Sequence, residues 1–217
     1  PYKKRLFALS AYIWASFIPG ILSLLINPFL AKNLSHYDYS IIGYFTSFNL
    51  LVLPIVGFSF INYYAKNYFT VGEEERLRIK NTLLTSILFF GGFFLLVFSA
   101  IFYFYAYFFK LSFPFFPYAI ISFTPVLLSY FYSFYIVEKR LQRKAYSYLK
   151  VVLANALLLA LLSFSFVVIF KWGAIGRLSA TLIVSIGFGS YCFRSLVSKI
   201  EFSKRIFFDA FKFCCPI

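Results

Sequence analysis

Two stretches without a charged side chain, 6–31 and 39–65, are separated only by Lys32-Asn33-Leu34-Ser35-His36-Tyr37-Asp38. Each exceeds the ~20 residues an α-helix needs to cross the ~30 Å hydrocarbon core of a bilayer. In hydrocarbon a segment must satisfy its own backbone N–H and C=O groups, which leaves an open run of this kind only the helix. The polar turn has room for a reversal and little else, so the two runs predict an antiparallel helical hairpin. Further charge-free windows follow at 81–109, 111–137, 151–170 and 178–193. The last reaches back to Gly173 if Arg177 faces the interior or lies near an interface. The windows predict an all-α, polytopic transmembrane helical bundle of six spans.

Only 13% of the 217 residues are charged and 62% are hydrophobic, against about 25% charged in a soluble globular domain. A transmembrane β-barrel would alternate apolar and polar positions over segments of about ten residues, and no such alternation runs through the chain. The net charge of +14 would suit nucleic acid or an anionic lipid surface, but the placement of the basic residues follows topology. With the N-terminus in the cytoplasm, only Lys32, Lys110, Lys171 and Arg177 of the 21 Lys and Arg fall outside, and the other 17 fall inside. That asymmetry is the positive-inside pattern. A cytoplasmic N-terminus is expected, and a nucleic-acid partner is not.

The chain has no methionine and opens at Pro1, so a clipped N-terminus is expected. Lys3-Lys4-Arg5 heads an apolar run too long for a signal-peptide core, which makes that run an uncleaved first span. Another apolar segment begins near Ile206. Residues 1–205 therefore read as a six-helix transmembrane lobe and 206–217 as the truncated start of a seventh helix, with a second lobe missing. The mixture of Lys, Glu and Phe over 196–213 predicts an interfacial amphipathic helix leading into it.

The connections carry local signals. Ser35-His36-Tyr37-Asp38 has capping-box spacing, with Asp in place of the usual Glu or Gln, and predicts the start of the second helix. His36 reads as a surface residue beside that cap. Gly72 is expected to end one helix, and Glu73-Glu74-Glu75 to start the next, where the macrodipole favours carboxylates. The stretch 138–144 reads as a cytoplasmic loop whose charges stop the flanking spans at the headgroups. Cys192, Cys214 and Cys215 lack metal-ligand spacing and read as small apolar filler. No Walker loop, G-x-S-x-G or H-E-x-x-H occurs. Neither enzymatic chemistry nor a cofactor or metal is expected.

Within the spans, Tyr12, Ser16, Gly20, Ser23, Asn27 and Ala31 recur at steps of three and four and share one helix face. Such a stripe faces other helices or a water-filled cavity rather than lipid. Asn27 and Asn155 are amides in mid-span that need partners. Arg177 either snorkels to headgroups or points into a central cavity. Lys32, Lys66 and Lys150 stand at span ends, where snorkelling is the default. Pro19, Pro28, Pro54 and Pro125 interrupt spans, and each removes one backbone donor. Pro28, Pro125 and the pair Pro54 and Gly57, close to Asn49, are the expected kinks or hinges.

The run from Asn27-Pro28-Phe29 through Leu34-Ser35-His36-Tyr37-Asp38-Tyr39-Ser40 to Gly43-Tyr44 resembles the first outer hairpin of bacterial polysaccharide transporters. These are the Wzx-type O-antigen flippases of the multidrug/oligosaccharidyl-lipid/polysaccharide (MOP) exporter superfamily. Ser40 stands where glycine is common there. Gly176-Arg177-Leu178-Ser179-Ala180-Thr181 is similar to the Gly-rich start of that family's sixth helix. The resemblance implies one MOP-type lobe of a multi-pass flippase in the bacterial inner membrane. Such a protein moves an undecaprenyl-diphosphate-linked oligosaccharide to the periplasmic leaflet by alternating access, with other polysaccharide-assembly proteins as partners and a proton or sodium ion as the candidate coupling ion. It further implies a cationic, polar lumen, for which Arg177, Lys32, Lys66, Lys150, Asn27, Asn49 and Asn155 are the candidates. The alternatives are a drug/cation antiporter of the same superfamily, disfavoured because the six spans lack a carboxylate, a membrane enzyme of the polysaccharide pathway, and a non-transporting scaffold.

Overall fold

The computed structural model describes residues 2–111, 113–197 and 199–214, with side chains from Ser10 onward. Cys215, Pro216 and Ile217, the end of the expected seventh segment, lie outside the described residues. Among the described residues the chain is helical and contains no strand. α1 (Tyr2–Asn33) and α2 (His36–Gly57) form the predicted hairpin, and the short α3 (Phe60–Asn67) follows. α4 (Glu73–Ser86) passes through a π-helical turn at Ile87–Gly91 into α5 (Gly92–Phe108). Then come α6 (Tyr118–Leu141), α7 (Ala145–Phe164) with a π-turn at Ser165–Ile169, α8 (Gly173–Leu196) and α9 (Lys204–Cys214). Six helices are long and apolar enough to cross a membrane, α4 and α5 counting as one 36-residue rod. The protein is an all-α, multi-pass membrane bundle.

The spans alternate in direction. At one end, here called apical, lie the α1–α2 turn, the α5–α6 connection and the α7–α8 turn. The basal end holds α3, the α6–α7 turn and α9. α6 packs along α8 and α1 along α7, which makes these four helices the frame of the bundle. A basal core gathers Val56, Tyr64, Leu83, Leu84, Phe131 and Phe134. An apical core combines Phe45, Phe102, Phe113, Tyr118 and Phe123 with Ile41, Ala119, Ala174 and Leu178. Phe45 lies at its centre, with the rings of Phe102, Phe123 and Phe113 at 5.6, 5.7 and 5.9 Å. Ring pairs of this kind add about 0.5–1.5 kcal/mol each beyond their burial.

Several boundaries differ from the windows read in the sequence. The second window continues to 65, but α2 stops at Gly57 because Phe58 and Ser59 adopt left-handed backbone, at φ 45° and 53°. Left-handed geometry costs a non-glycine residue about 1–2 kcal/mol. Stacking of Phe58 on Phe60, with edge contact to Phe94 and a tilted approach to Phe211, offsets that cost. The Tyr130 hydroxyl donates to the Leu53 carbonyl and seals the frayed end. A Cβ on Gly57 would overlap the Tyr130 ring, so this glycine serves close approach while the bend itself falls one and two residues later. Pro19, Pro28, Pro54 and Pro125 all sit inside continuous helices.

The fourth window opens at 111, but α6 waits until Tyr118, after Pro114 and Pro117, neither of which can donate a backbone hydrogen bond. At its other end α6 runs on through Glu138 to Leu141. The expected loop 138–144 shrinks to Gln142, Arg143 and Lys144, with Arg143 turning the chain at φ 56°. Gly72 caps the start of α4 rather than ending α3. The expected amphipathic segment 196–213 becomes helical only from Lys204, and α9 packs against α3 and α4, with Phe207 and Phe213 on Phe60 and Tyr63 of α3 and Phe211 on Phe58.

The extension of α6 changes the meaning of Glu138. Instead of facing water in a loop, it is buried and accepts from the Lys80 ammonium at 3.2 Å. The Tyr64 hydroxyl donates to the same carboxylate oxygen at 3.4 Å. The pair thus ties α4 to α6, with α3 bridging. Beside a carboxylate and out of water, the Tyr64 phenol is held well above its ordinary pKa, burial being the larger cause. Removing one partner of a buried pair strands the other charge, at about 3–5 kcal/mol. Lys80→Leu should therefore lower stability by that order in a detergent-unfolding titration. The double replacement Lys80→Leu/Glu138→Leu should recover most of it, and two losses that simply add would show that the pair does not interact.

Candidate functional site

The site begins at the apical turn. Ser35 caps α2: its hydroxyl oxygen accepts the Asp38 N–H at 3.1 Å, and Asp38 Oδ2 accepts the Ser35 N–H at 3.0 Å. This is the capping box expected from the sequence, and His36 lies exposed beside it. The second carboxylate oxygen does something the sequence does not announce. Asp38 Oδ1 accepts the Ala174 N–H at 2.7 Å, so one side chain caps the starts of both α2 and α8. That approach requires residue 173 to be glycine. Gly173 has φ 56°, and a Cβ there would sit 2.5 Å from Asp38 Oδ1.

With the start of α8 fixed, Arg177 projects one turn later toward α7. Its Nη1 donates to Ser163 Oγ at 2.5 Å, just before the π-turn at Ser165–Ile169. A π-turn inserts an extra residue per turn and re-aims the side chains around it. Arg177 is partly buried and opens onto a cavity of about 160 Å³ between α1, α6, α7 and α8. α1 contributes Ser23 and Asn27, α7 contributes Asn155, and α6 contributes Tyr132. Asn27 Nδ2 approaches Ser23 Oγ at 3.4 Å, within the small-polar stripe. Ser16, Gly20, Ser23, Asn27 and Ala31 of that stripe are exposed, and Tyr12, half-buried, packs at a tilt against Tyr148 with centroids 5.2 Å apart.

No carboxylate lines this cavity. Among the described residues the ion pairs are Arg78–Glu74 and Lys80–Glu138, and neither reaches Arg177. A partly desolvated guanidinium bonded only to a neutral hydroxyl retains N–H donors in a fork that matches two oxygens of a phosphate or carboxylate. The surrounding amides can donate as well as accept. The arrangement can therefore hold an anion, and nothing in it favours a cation.

Three of the seven candidate lumen residues, Arg177, Asn27 and Asn155, meet in this cavity, and four lie elsewhere. Lys32 is exposed at the end of α1. Lys66 is exposed on α3, with its ammonium 4.8 Å from the Phe213 ring. Lys150 lies in a separate groove on the other side of α7. Asn49 donates to the Ser122 carbonyl and hydroxyl at 3.2 and 2.9 Å, a tie between α2 and α6. Ser163 and Tyr132 belong to the site's surroundings but were not singled out. Ser163, which with Ser165 interrupts the apolar run of α7, is buried and is the one whose sequence position carried a signal.

Comparison with protein-family models, with curated proteins and with solved structures returns no match to this chain.

The double role of Asp38 has a measurable consequence. Ser35→Ala removes one cap, worth about 1 kcal/mol. Asp38→Ala removes partners from two helix starts together with a charge favourable to both dipoles, so its loss should reach about 2 kcal/mol. Equal losses in thermal or denaturant unfolding would show that the Ala174 contact contributes nothing.

Proposed function

We propose that this chain is one lobe of a transporter for an anionic, lipid-linked substrate. The substrate class is the undecaprenyl-diphosphate-linked oligosaccharide of bacterial surface polysaccharides, carried from the cytoplasmic to the periplasmic leaflet of the inner membrane by alternating access. The observation that carries this reading is the Arg177 guanidinium, which faces a cavity that holds Ser23, Asn27, Asn155 and Tyr132 but no counter-ion. A diphosphate would supply the missing charge and would accept from the guanidinium in bidentate fashion. The resemblance of the first outer hairpin and of the Gly176–Thr181 stretch to Wzx-type flippases supports the same substrate. The excess of basic residues in the basal connections favours a cytoplasmic basal end.

A cationic drug would need a carboxylate in the cavity, and Glu138, buried in α6, is already committed to Lys80. Catalysis by His36 and Asp38 has no support either, since Asp38 is occupied by Ser35 and Ala174. In this reading the protein works by binding and moving its substrate, without covalent chemistry.

The test uses cells whose O-antigen export depends on the protein. Arg177→Ala should abolish surface polysaccharide while membrane insertion persists, and Arg177→Lys should restore only part of it, because a point charge lacks the planar fork. Unchanged polysaccharide in Arg177→Ala would remove the cavity from the mechanism.

A further inference from the structure

α7 is the wall between two clefts. Its Val152, Asn155 and Leu159 face the Arg177 cavity, while Ser147, Lys150, Ala154 and Leu158 line a separate groove of about 560 Å³. The far side of that groove is Gly187 and Tyr191 of α8, and Tyr135 of α6 contributes to its lining. Polarity changes along its length. Tyr146, Ser147 and Lys150 cluster at the basal mouth, and the lining turns apolar through Ala154 to Leu158. Lys150 and Leu158 are eight residues apart, about 12 Å along the helix.

The mouth is also cationic. Lys150 is exposed, and the Lys139 ammonium lies 4.7 Å from the Tyr135 ring. Arg143 and Lys144 form the adjoining turn. Of the carboxylates, Glu138 is nearest in sequence, and it is turned inward onto Lys80. No acidic side chain lines the groove. Gly187 leaves its floor open, since a Cβ built there would meet nothing within 4 Å.

A cleft with a cationic, hydroxyl-bearing mouth at a helix end and an apolar shaft toward mid-membrane has the polarity of an amphiphile with an anionic head. We infer that this groove binds an anionic phospholipid, its headgroup phosphate on Lys150 and the neighbouring hydroxyls, its acyl chain along Ala154, Leu158 and Gly187. Basic pockets between membrane helices recognise anionic headgroups on these grounds. The site is independent of the transport reading, because the groove and the Arg177 cavity lie on opposite sides of α7.

The test is native mass spectrometry of the whole protein in detergent, titrated with phosphatidylglycerol or phosphatidylcholine of identical acyl chains. The unaltered protein should retain phosphatidylglycerol in preference. Lys150→Gln should weaken that retention about fivefold, the worth of one lysine near an anionic surface, and weaken phosphatidylcholine less, because choline offsets the charge of its phosphate. Gly187→Phe projects a ring into the shaft from a position where a Cβ meets nothing within 4 Å, so retention of both lipids should fall while the unfolding temperature holds. Lys110→Gln, at an exposed apical position, should change nothing. Equal retention of the two lipids by the unaltered protein would overturn the inference. So would a Gly187→Phe variant that binds as before, or displacement of the lipid by inorganic phosphate alone.

Discussion

An apolar helix crossing hydrocarbon can leave almost none of its backbone hydrogen bonds unmade, and the architecture follows from how this chain meets that demand. Where the chain must turn, side chains supply the missing partners. Asp38 does so for two helices at once, Ser35 reciprocates, and the Tyr130 hydroxyl closes the end of α2 on the Leu53 carbonyl. Each of these bonds fixes the angle at which a helix leaves its turn. With the start of α8 held in this way, Arg177 donates to Ser163 and lines the cavity beside it.

Charge is treated in two ways. At the basal end Lys80 and Glu138 neutralise each other out of water, with Tyr64 adding a donor. Such a pair stabilises little on balance but makes its partners inseparable. Near the apical end Arg177 has no carboxylate among its neighbours, only the Ser163 hydroxyl and, across a cavity, the amides of Asn27 and Asn155 and the hydroxyls of Ser23 and Tyr132. The first arrangement holds α4 to α6. The second leaves electrostatic demand unmet, and an anionic ligand is what would meet it.

The spans were legible because apolar length and charge clustering are read residue by residue, and the cap at Ser35 and Asp38 because its partners are three residues apart. Asn27, Asn155 and Arg177 were legible as polar groups interrupting apolar windows. The lysines were not, since a lysine at a helix end gives the same sequence signal whether it faces a cavity, an aromatic ring or a headgroup. Lys150 and Asn155 illustrate the point: five residues along a helix is about 140° around it, enough to put them in different clefts. The break at Phe58 depends on rings from α5 and α9, and the burial of Glu138 depends on a lysine 58 residues away. Neither is written in the local sequence.

The central claim is that the cavity between α1, α6, α7 and α8 is reached by water and that Arg177 presents its charge there. Substituted-cysteine labelling tests it most directly. Ser23→Cys and Asn155→Cys, in a background with the native cysteines replaced by alanine, are exposed to a charged, membrane-impermeant thiol reagent, with Leu158→Cys, which lines the separate groove, as reference. Both cavity positions should react, should be slowed by added pyrophosphate, and should outpace Leu158→Cys. If positions 23 and 155 stay as unreactive as 158, the stripe on α1 faces lipid or packed protein and the cavity is not an aqueous site.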